Sequence, residues 1–241
     1  MPRQHPKKPA RPQLSQEAAA HVRALIMSGE LRPGTPVLAE SIAEDLGIST
    51  TPAREGLQAL RVEGFLDLIP RHGFQVAPLN AEDIRDLFQI QGLIAGELAA
   101  RAAAAATDED VEELDALHHE LIAAARRNDQ RALEEKNHAF HRAINLMAGS
   151  RKIIWALGLL SRYVPREFYA SITGWPQATV EDHSALLESI RQRDAAAARA
   201  AMREHVSHSG ELLADYFDRR GAAPTATSET AEATQNAQQT V

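Results

Sequence analysis

The chain has 241 residues and a formal net charge of −7, and 44% of its residues are hydrophobic, which is enough for two domains with packed cores. It contains no cysteine, so a disulfide framework and a thiolate metal site are both excluded. The sequence has no apolar run of about 18 residues and no secretory-signal pattern, so we expect a cytoplasmic protein without a membrane span.

The N-terminal residues divide into a tail and a helix. Residues 1–12 are rich in proline and basic side chains, and we expect them to be disordered. An apolar stripe with helical spacing then predicts a helix over Leu14–Ser28, which Gly29 ends. The residues of this stripe are Ala18, Val22, Leu25 and Ile26.

Two short helices are predicted next, joined by a tight turn. The first covers Ala39–Leu46, and Gly47 suits the left-handed position that follows a helix. Pro52 suits the first turn of the second helix, which ends at Gly64. The residues able to cap this second helix are Ser49, Thr50 and Thr51.

The second helix has an apolar side, with Leu57 and Leu60, and a polar side. In a helix-turn-helix protein the second helix enters the major groove, and its N-terminal residues reach base edges. Arg54 suits a guanine or a phosphate, and Thr51 suits a phosphate or a thymine methyl group. The predicted DNA contacts of this helix are Ser49, Thr50, Thr51, Arg54, Gln58 and Arg61.

Strand-like residues follow, with Phe65–Ile69 and Phe74–Val76 on either side of the turn Pro70–Gly73. Such a hairpin fits a wing that contacts the DNA backbone or the minor groove. The tip residues predicted to contact DNA are Arg71, His72 and Gly73. A small helical domain with surface arginines is the alternative, but helices, hairpin and tip together favour a winged helix-turn-helix over residues 13–78.

Residues 14–78 also follow a family signature of glycine, proline, acidic and apolar positions. The matching residues are Pro33-Gly34, Ile42-Ala43-Glu44, Leu46-Gly47-Ile48-Ser49, Thr51-Pro52, Arg54-Glu55, Leu57, Leu60, Glu63-Gly64-Phe65, Pro70, Gly73 and Val76. The stretch resembles the N-terminal domain of the GntR family of bacterial transcription regulators. That family usually has arginine after the serine, where this chain has Thr50. The resemblance therefore implies DNA binding but not the same operator sequence.

The charge distribution affects how such a DNA-binding domain, called the reader below, binds DNA. Residues 1–78 hold 9 Lys and Arg against 8 Asp and Glu, whereas the remainder holds 17 against 25. The acidic excess lies outside the reader and does not argue against DNA binding. Because a nearly neutral reader offers few phosphate contacts, we expect a homodimer on the two half-sites of a palindromic double-stranded operator.

The apolar periodicity of residues 80–220 predicts consecutive helices without strands, which is the pattern of an all-helical bundle of six or seven helices. One of them, the fourth, is expected from Ile153 to Phe168. The expected caps are Asn80, Thr107 with Asp110, and Asp194. The expected breaks are Asn128-Asp129, Gly149 and Gly174-Trp175-Pro176. Residues 221–241 have almost no large apolar side chain and are expected to be disordered.

Three of the 10 histidines lie where a helical stripe points inward, namely His141, His183 and His205. Asn137 precedes His141 by one helical turn, on the same face. Three imidazoles and an amide oxygen from separate helices can hold a divalent ion and leave a position for water or an anion. On spacing alone, three separate histidines, each satisfied by a neighbour, are the commoner arrangement.

A second family signature surrounds these histidines. Its parts are Asn137-His138-Ala139-Phe140-His141, Ala148-Gly149-Ser150, Glu181-Asp182-His183 and Met202-Arg203-Glu204-His205. They resemble the all-helical ligand-binding domain called FCD, found in the FadR subfamily of GntR regulators. The resemblance implies a metal site made of Asn137, His141, His183 and His205. Asn137 stands where the family usually has aspartate. Zn, Ni, Mn and Fe are all compatible with these ligands. The histidines expected at the surface are His118, His119, His138 and His208.

In that domain the metal helps to hold a small carboxylate effector, often with an arginine and a glutamate from the first bundle helix. This chain has Gln91 and Ala95 at those two positions, so its effector pocket differs and a carboxylate is less secure. Gln91 and Arg162 are the candidate effector contacts.

The resulting hypothesis is a transcription regulator, and a repressor in particular, that a small metabolite releases or modulates. We expect no enzymatic activity. One alternative is a metal-dependent enzyme domain fused to a DNA reader, since three histidines with an open position also describe hydrolytic zinc sites. Another is a regulator whose metal has a purely structural role.

Overall fold

The computed structural model describes residues 11–164, 166–169 and 172–221. The predicted disordered tails lie outside these residues, except at their inner ends. Arg11 and Pro12 are helical, because Arg11 pairs with Glu55 of a neighbouring helix. Gly221 likewise ends a helix. The prediction of disorder is therefore wrong for these three residues.

The N-terminal domain is a winged helix-turn-helix. Its antiparallel sheet has the order β1-β3-β2, and Leu66 of β2 pairs with Val76 of β3. The sequence analysis missed β1, which has two residues and is too short for a period-2 pattern. The elements are α1 Arg11–Ser28, β1 Pro36–Val37, α2 Ala39–Leu46, α3 Thr50–Val62, β2 Leu66–Ile69 and β3 Gly73–Val76.

Local chemistry places α3 where the sequence predicts it. Gly47 ends α2 with a φ of 62°, a left-handed conformation that suits glycine. Ser49 occupies the N-cap position of α3 in an extended conformation, but its hydroxyl makes no capping hydrogen bond within the described part of the chain. Leu57 and Leu60 are fully buried beneath α3, so the opposite face of the helix is left to solvent.

The C-terminal domain is an all-helical bundle, as predicted. Asn80 and Thr107 form capping boxes with Asp83 and Asp110, and Asp194 accepts two backbone amides at the start of the last helix. The helices are α4 Ala81–Ala105, α5 Asp108–Arg126, α6 Gln130–Met147, α7 Arg151–Leu160, α8 Arg166–Tyr169, α9 Trp175–Arg191 and α10 Ala195–Gly221.

Two predicted boundaries in the bundle are wrong. The single fourth helix is two helices, α7 and α8, because Pro165 disfavours the helical conformation of the preceding residue. The predicted break at residues 174–176 is confined to Gly174, with a φ of 88°. Trp175 and Pro176 begin α9, where a proline loses no intrahelical hydrogen bond.

Close packing of α4 along α10 shapes the interior of the bundle. A Cβ atom on Gly210 of α10 would lie 2.6 Å from Cβ of Phe88 on α4. The two domains meet at the connection between α7 and α8, where the rings of Phe65 and Tyr163 stack with centroids 4.1 Å apart. Within the described residues, no helix is both long and apolar enough to cross a membrane.

Candidate functional site

The outer face of α3 carries the polar residues predicted to read DNA. The side chains of this face and of the residues just before it are exposed, and they are Ser49, Thr50, Thr51, Arg54, Gln58 and Arg61. Among the described residues, Arg54 makes a long ion pair with Glu40, at 3.4 Å, between two well-exposed side chains. Such a pair contributes little, so the guanidinium is available to a ligand.

The tip of the hairpin supplies a second exposed group beside α3. Arg71 and His72 are exposed there, and Arg71 has a φ of 69°. Gly73 has a φ of 83° and begins β3. The structure thus presents the predicted wing residues together, and their contacts to DNA stay a prediction.

The three predicted histidines converge in the bundle. His141 on α6, His183 on α9 and His205 on α10 offer nitrogen atoms that all lie within 4.8 Å of one another. Nε2 of His141 lies 3.1 Å from Nε2 of His205 and 3.2 Å from Nε2 of His183. A divalent ion bound about 2.0–2.1 Å from each nitrogen would hold such atoms about 3.0–3.4 Å apart.

Burial favours the neutral, metal-binding form of two of these histidines, His141 and His183. Burial lowers the pKa of His141 and of His183 well below the ordinary value, and the neighbouring His205 lowers both further. A neutral imidazole presents a lone pair, so His141 and His183 can bind a cation without first losing a proton.

Asp182 is a member of the site that the sequence analysis did not identify. Its Oδ2 lies 3.3 Å from Nδ1 of His205 and 3.2 Å from Nδ1 of His208. Burial raises the pKa of Asp182, but the hydrogen bond and the charge of His205, together with those of His208, outweigh this and lower it. A carboxylate on Nδ1 directs Nε2 of His205 into the cluster. The contact joins α9 to α10, so sequence spacing does not reveal it.

Two buried polar atoms near the cluster have no hydrogen-bond partner among the described residues. They are Oδ1 of Asn137 and Nδ1 of His183. Asn137 lies one turn before His141 on α6, and both line the same cavity. An unpaired buried oxygen next to three convergent nitrogens fits the donor set of a divalent metal.

Four further histidines of the bundle were predicted to lie at the surface, and this prediction is wrong for one of them. His118 is buried, its Nε2 lies 3.0 Å from Oγ of Ser184, and burial lowers its pKa. It belongs to the apolar stripe of α5 and packs beside Phe140 and His183. The remaining three, none of which is fully buried, are His119, His138 and His208.

A cavity of about 650 Å³ adjoins the cluster, and His141 and His205 form part of its wall. This volume is in the range of small-molecule sites. Gln91 and Arg162, the two predicted effector contacts, both line the cavity, with Gln91 buried and Arg162 exposed. Arg23 of α1 lines it too, although nothing in the sequence suggested that the reader would reach this site.

Comparison with known families agrees with this geometry. Residues 14–76 match the bacterial regulatory proteins of the gntR family, and residues 86–208 match the FCD domain. The chain belongs to the GntR family. It is an FCD-containing transcriptional regulator that binds double-stranded DNA, as the sequence analysis predicted.

Several known regulators are similar to this GntR-family protein along most of its length. The Glc operon transcriptional activator of Escherichia coli strain K12 is 27% identical over 213 residues, covering 78% of this chain and 84% of that protein. The HTH-type transcriptional repressor RspR of the same strain is 23% identical over 185 residues, covering 76% and 81%. These relatives are regulators, so the prediction that the chain is not an enzyme is confirmed and the enzyme alternative is set aside.

A solved structure shares the fold. E. coli McbR/YncC superposes with a TM-score of 0.63 at 22% identity, covering 85% of this chain and 98% of that chain. A second solved structure, of Lar from Listeria monocytogenes, gives a TM-score of 0.58 at 16% identity and covers 83% of this chain and 96% of that chain. These likenesses extend across both domains.

Proposed function

We propose that this regulator is a repressor whose hold on its operator responds to a small metabolite bound beside a divalent metal in the FCD domain. The observation that carries the proposal is the convergence of His141, His183 and His205 beside a cavity large enough for a metabolite, with His141 and His205 in its wall. The exposed face of α3 and the hairpin tip provide the surface for the operator.

The residues that would hold the metal are His141, His183, His205 and Asn137. The metal, when bound, supplies a Lewis-acidic position for an anionic or carbonyl oxygen of the effector. The chain itself orients the ligands, since Asp182 contacts Nδ1 of His205 and leaves Nε2 for the cluster.

Elemental analysis of untagged full-length protein tests the metal site. We expect about one metal ion per chain and loss of that metal in His141→Ala, because the variant removes one of the three nitrogen donors. His119→Ala is the matched control, because His119 is exposed, contacts Asp115 of its own helix and is not part of the cluster. Failure to retain Zn, Ni, Mn or Fe after loading would contradict the proposal.

Chelation separates a metal that takes part in regulation from one with a purely structural role. If the metal helps to hold the effector, its removal abolishes the effect of the metabolite on operator affinity. If the metal only stabilises the bundle, chelation lowers the melting temperature and leaves the effector response unchanged.

The proposal includes a homodimer, for which α7 offers a surface. None of the 10 residues of α7 is buried, and Trp155 is 61% exposed. Leu159 of α7 and both Ile90 and Leu93 of the adjoining α4 are also exposed apolar residues. A second copy of the chain is the proposed occupant of this surface, because two readers are needed for a palindromic operator.

Sedimentation measurements on Trp155→Glu test the dimer. A charge in the centre of an apolar interface should convert dimer to monomer and weaken operator binding. Leu38→Glu is the control, because it places the same charge on an exposed leucine outside this surface, and it should leave the dimer intact. A wild-type protein that sediments as a monomer at operator-binding concentrations would contradict this part of the proposal.

Gel-shift and reporter assays test operator binding and its sign. Sequence-selective, salt-sensitive retardation of the DNA upstream of the chain's own gene is expected. The relatives include one named an activator and one named a repressor. Deletion of the gene should raise transcription from that operator, whereas a fall would identify an activator.

A further inference from the structure

Arg23 is a residue of the DNA-binding domain that lines the effector cavity. It lies on α1, and among the described residues of the cavity wall it is the one that comes from the N-terminal domain. Its side chain is only 12% exposed. The guanidinium pairs with Glu63 through Nη2 and lies 5.4 Å from the centroid of the Phe65 ring.

The guanidinium of Arg23 still has hydrogen-bonding capacity to spare. Its Nε is buried and has no acceptor among the described residues. Arginine has five N–H donors in a fixed plane, so it can hold Glu63 on one side and another acceptor on a different side. Buried N–H groups are almost always satisfied in proteins, which points to an acceptor other than the described residues.

Gln91 of α4 has a similar unpaired donor in the same cavity wall. The residue is 6% exposed, and its Nε2 has no partner within the described part of the chain. Arg23 and Gln91 are therefore two cavity-lining residues that each keep an unpaired, buried N–H donor among the described residues. The histidine cluster adds a separate polar region through His141 and His205.

We propose that Arg23 contacts the effector directly and is the cation that selects it. This inference rests on the proposed function and specifies its ligand as a small organic anion with two acceptor groups. One acceptor group binds Arg23 and Gln91, and the other binds the histidine cluster. A dicarboxylate is the simplest compound of this kind.

The contacts of Arg23 also connect the cavity to the DNA-reading helix. Glu63 is the C-cap residue that follows the last residue of α3, and Arg23 forms an ion pair with it. The same side chain, Arg23, therefore contacts both the proposed effector and the C-terminal end of α3. By linkage, a ligand that binds Arg23 more tightly in one position of α3 changes operator affinity by the same factor.

Calorimetric titration of the metal-loaded full-length protein tests the inference. The probes are the linear dicarboxylates from malonate to adipate, each compared with the monocarboxylate of equal carbon number. We expect at least one dicarboxylate to bind about tenfold or more tightly than its monocarboxylate, because a charge-assisted hydrogen bond to arginine is added. Arg23→Ala should remove this preference.

Arg162→Ala tests a competing cation, because Arg162 was predicted from the sequence to contact the effector and, like Arg142, lines the same cavity. If Arg23 is the selecting cation, Arg162→Ala reduces the dicarboxylate preference less than Arg23→Ala does. Loss of the preference in Arg162→Ala with retention in Arg23→Ala would overturn the inference and assign the cation to Arg162. A wild-type protein that prefers no dicarboxylate would overturn the inference as well.

Arg23→Lys guards against a variant that merely unfolds. Lysine keeps the positive charge and can pair with Glu63, but it has a methylene group where arginine has its Nε–H donor. We expect a melting temperature close to that of the wild type and a reduced dicarboxylate preference. An undiminished preference in a folded Arg23→Lys protein would show that Nε of Arg23 does not contact the ligand.

The operator assay separates the two proposals. If the wild-type protein binds no operator, the proposed function fails, whereas the calorimetric result still decides the role of Arg23. If the operator is bound, the dicarboxylate preferred in calorimetry should change operator affinity in the wild type and not in Arg23→Ala. An equal response of both proteins would exclude the connection through Glu63.

Discussion

Asp182 acts at the scale of single residues by setting the direction of His205. Its carboxylate contacts Nδ1 of His205 at 3.3 Å, which leaves Nε2 facing His141. We expect Asp182→Ala to lower the metal affinity by about 10–100-fold, because the imidazole loses its orienting partner. Competition with a chelator of known affinity measures this. Glu181→Ala changes the neighbouring exposed acid and should have no effect.

Arg54 is the residue of α3 best placed to read the operator. We expect Arg54→Ala to weaken specific binding by about 1–3 kcal/mol, because a guanidinium contact to a base or phosphate is lost. Quantitative gel shifts at several salt concentrations measure this. Arg32→Ala removes an exposed arginine of the same domain outside α3. Equal losses for the two variants would show that Arg54 contributes only general charge.

At the scale of helices, glycines decide how closely two elements pack. A Cβ atom on Gly56 of α3 would lie 2.7 Å from the carbonyl oxygen of Ser15 on α1. Overpacking costs about 1–3 kcal/mol, which exceeds the gain of about 1 kcal/mol from the better helix propensity of alanine. We therefore expect Gly56→Ala to lower the free energy of unfolding, as denaturant titration would show.

Gly158 of α7 provides the opposite case. A Cβ atom there would meet nothing within 4 Å among the described residues. Gly158→Ala should therefore leave stability unchanged or raise it by about 0.5–1 kcal/mol. A destabilisation equal to that of Gly56→Ala would contradict the packing argument, because a Cβ atom on Gly158 creates no close contact among the described residues.

For the whole molecule, Tyr163 is part of the contact between the DNA-binding domain and the bundle, because its ring stacks on Phe65. Burial, with Asp83 and Glu63 nearby, raises the pKa of Tyr163 from 10.0 to about 12. The unfolded chain therefore ionises this phenol first, and the stabilising effect of the neutral ring is full below pH 10 and is lost as the pH rises toward about 12. Burial shifts the pKa of Tyr169 in the same direction.

We accordingly expect the free energy of unfolding to fall between pH 10 and about pH 12, and to fall less in Tyr163→Phe. Denaturant titrations across this range measure the difference. A wild type and a Tyr163→Phe protein with identical pH profiles would show that the phenol is not shielded at the junction. The Phe65–Tyr163 stack is then not a firm contact between the domains.

Patterns with a local physical cause were predictable from the sequence. The helix-turn-helix follows from the turn at Gly47 and from the stripe of Leu57 and Leu60, both of which act within a few residues. The capping boxes at Asn80 and Thr107 are equally local. Helical periodicity also indicated the DNA-reading face and the inward positions of the three histidines, whereas the metal site was implied only by the resemblance to the FCD domain.

Contacts between distant elements required the folded structure. The pairing of Asp182 with His205, the burial of His118 and the reach of Arg23 into the cavity each join residues on separate helices. Helical periodicity shows which side of a helix faces inward, but not which neighbour it meets there. The residue types and helices of this regulator follow from local chemistry, whereas the partners of its buried polar groups follow from how those helices pack.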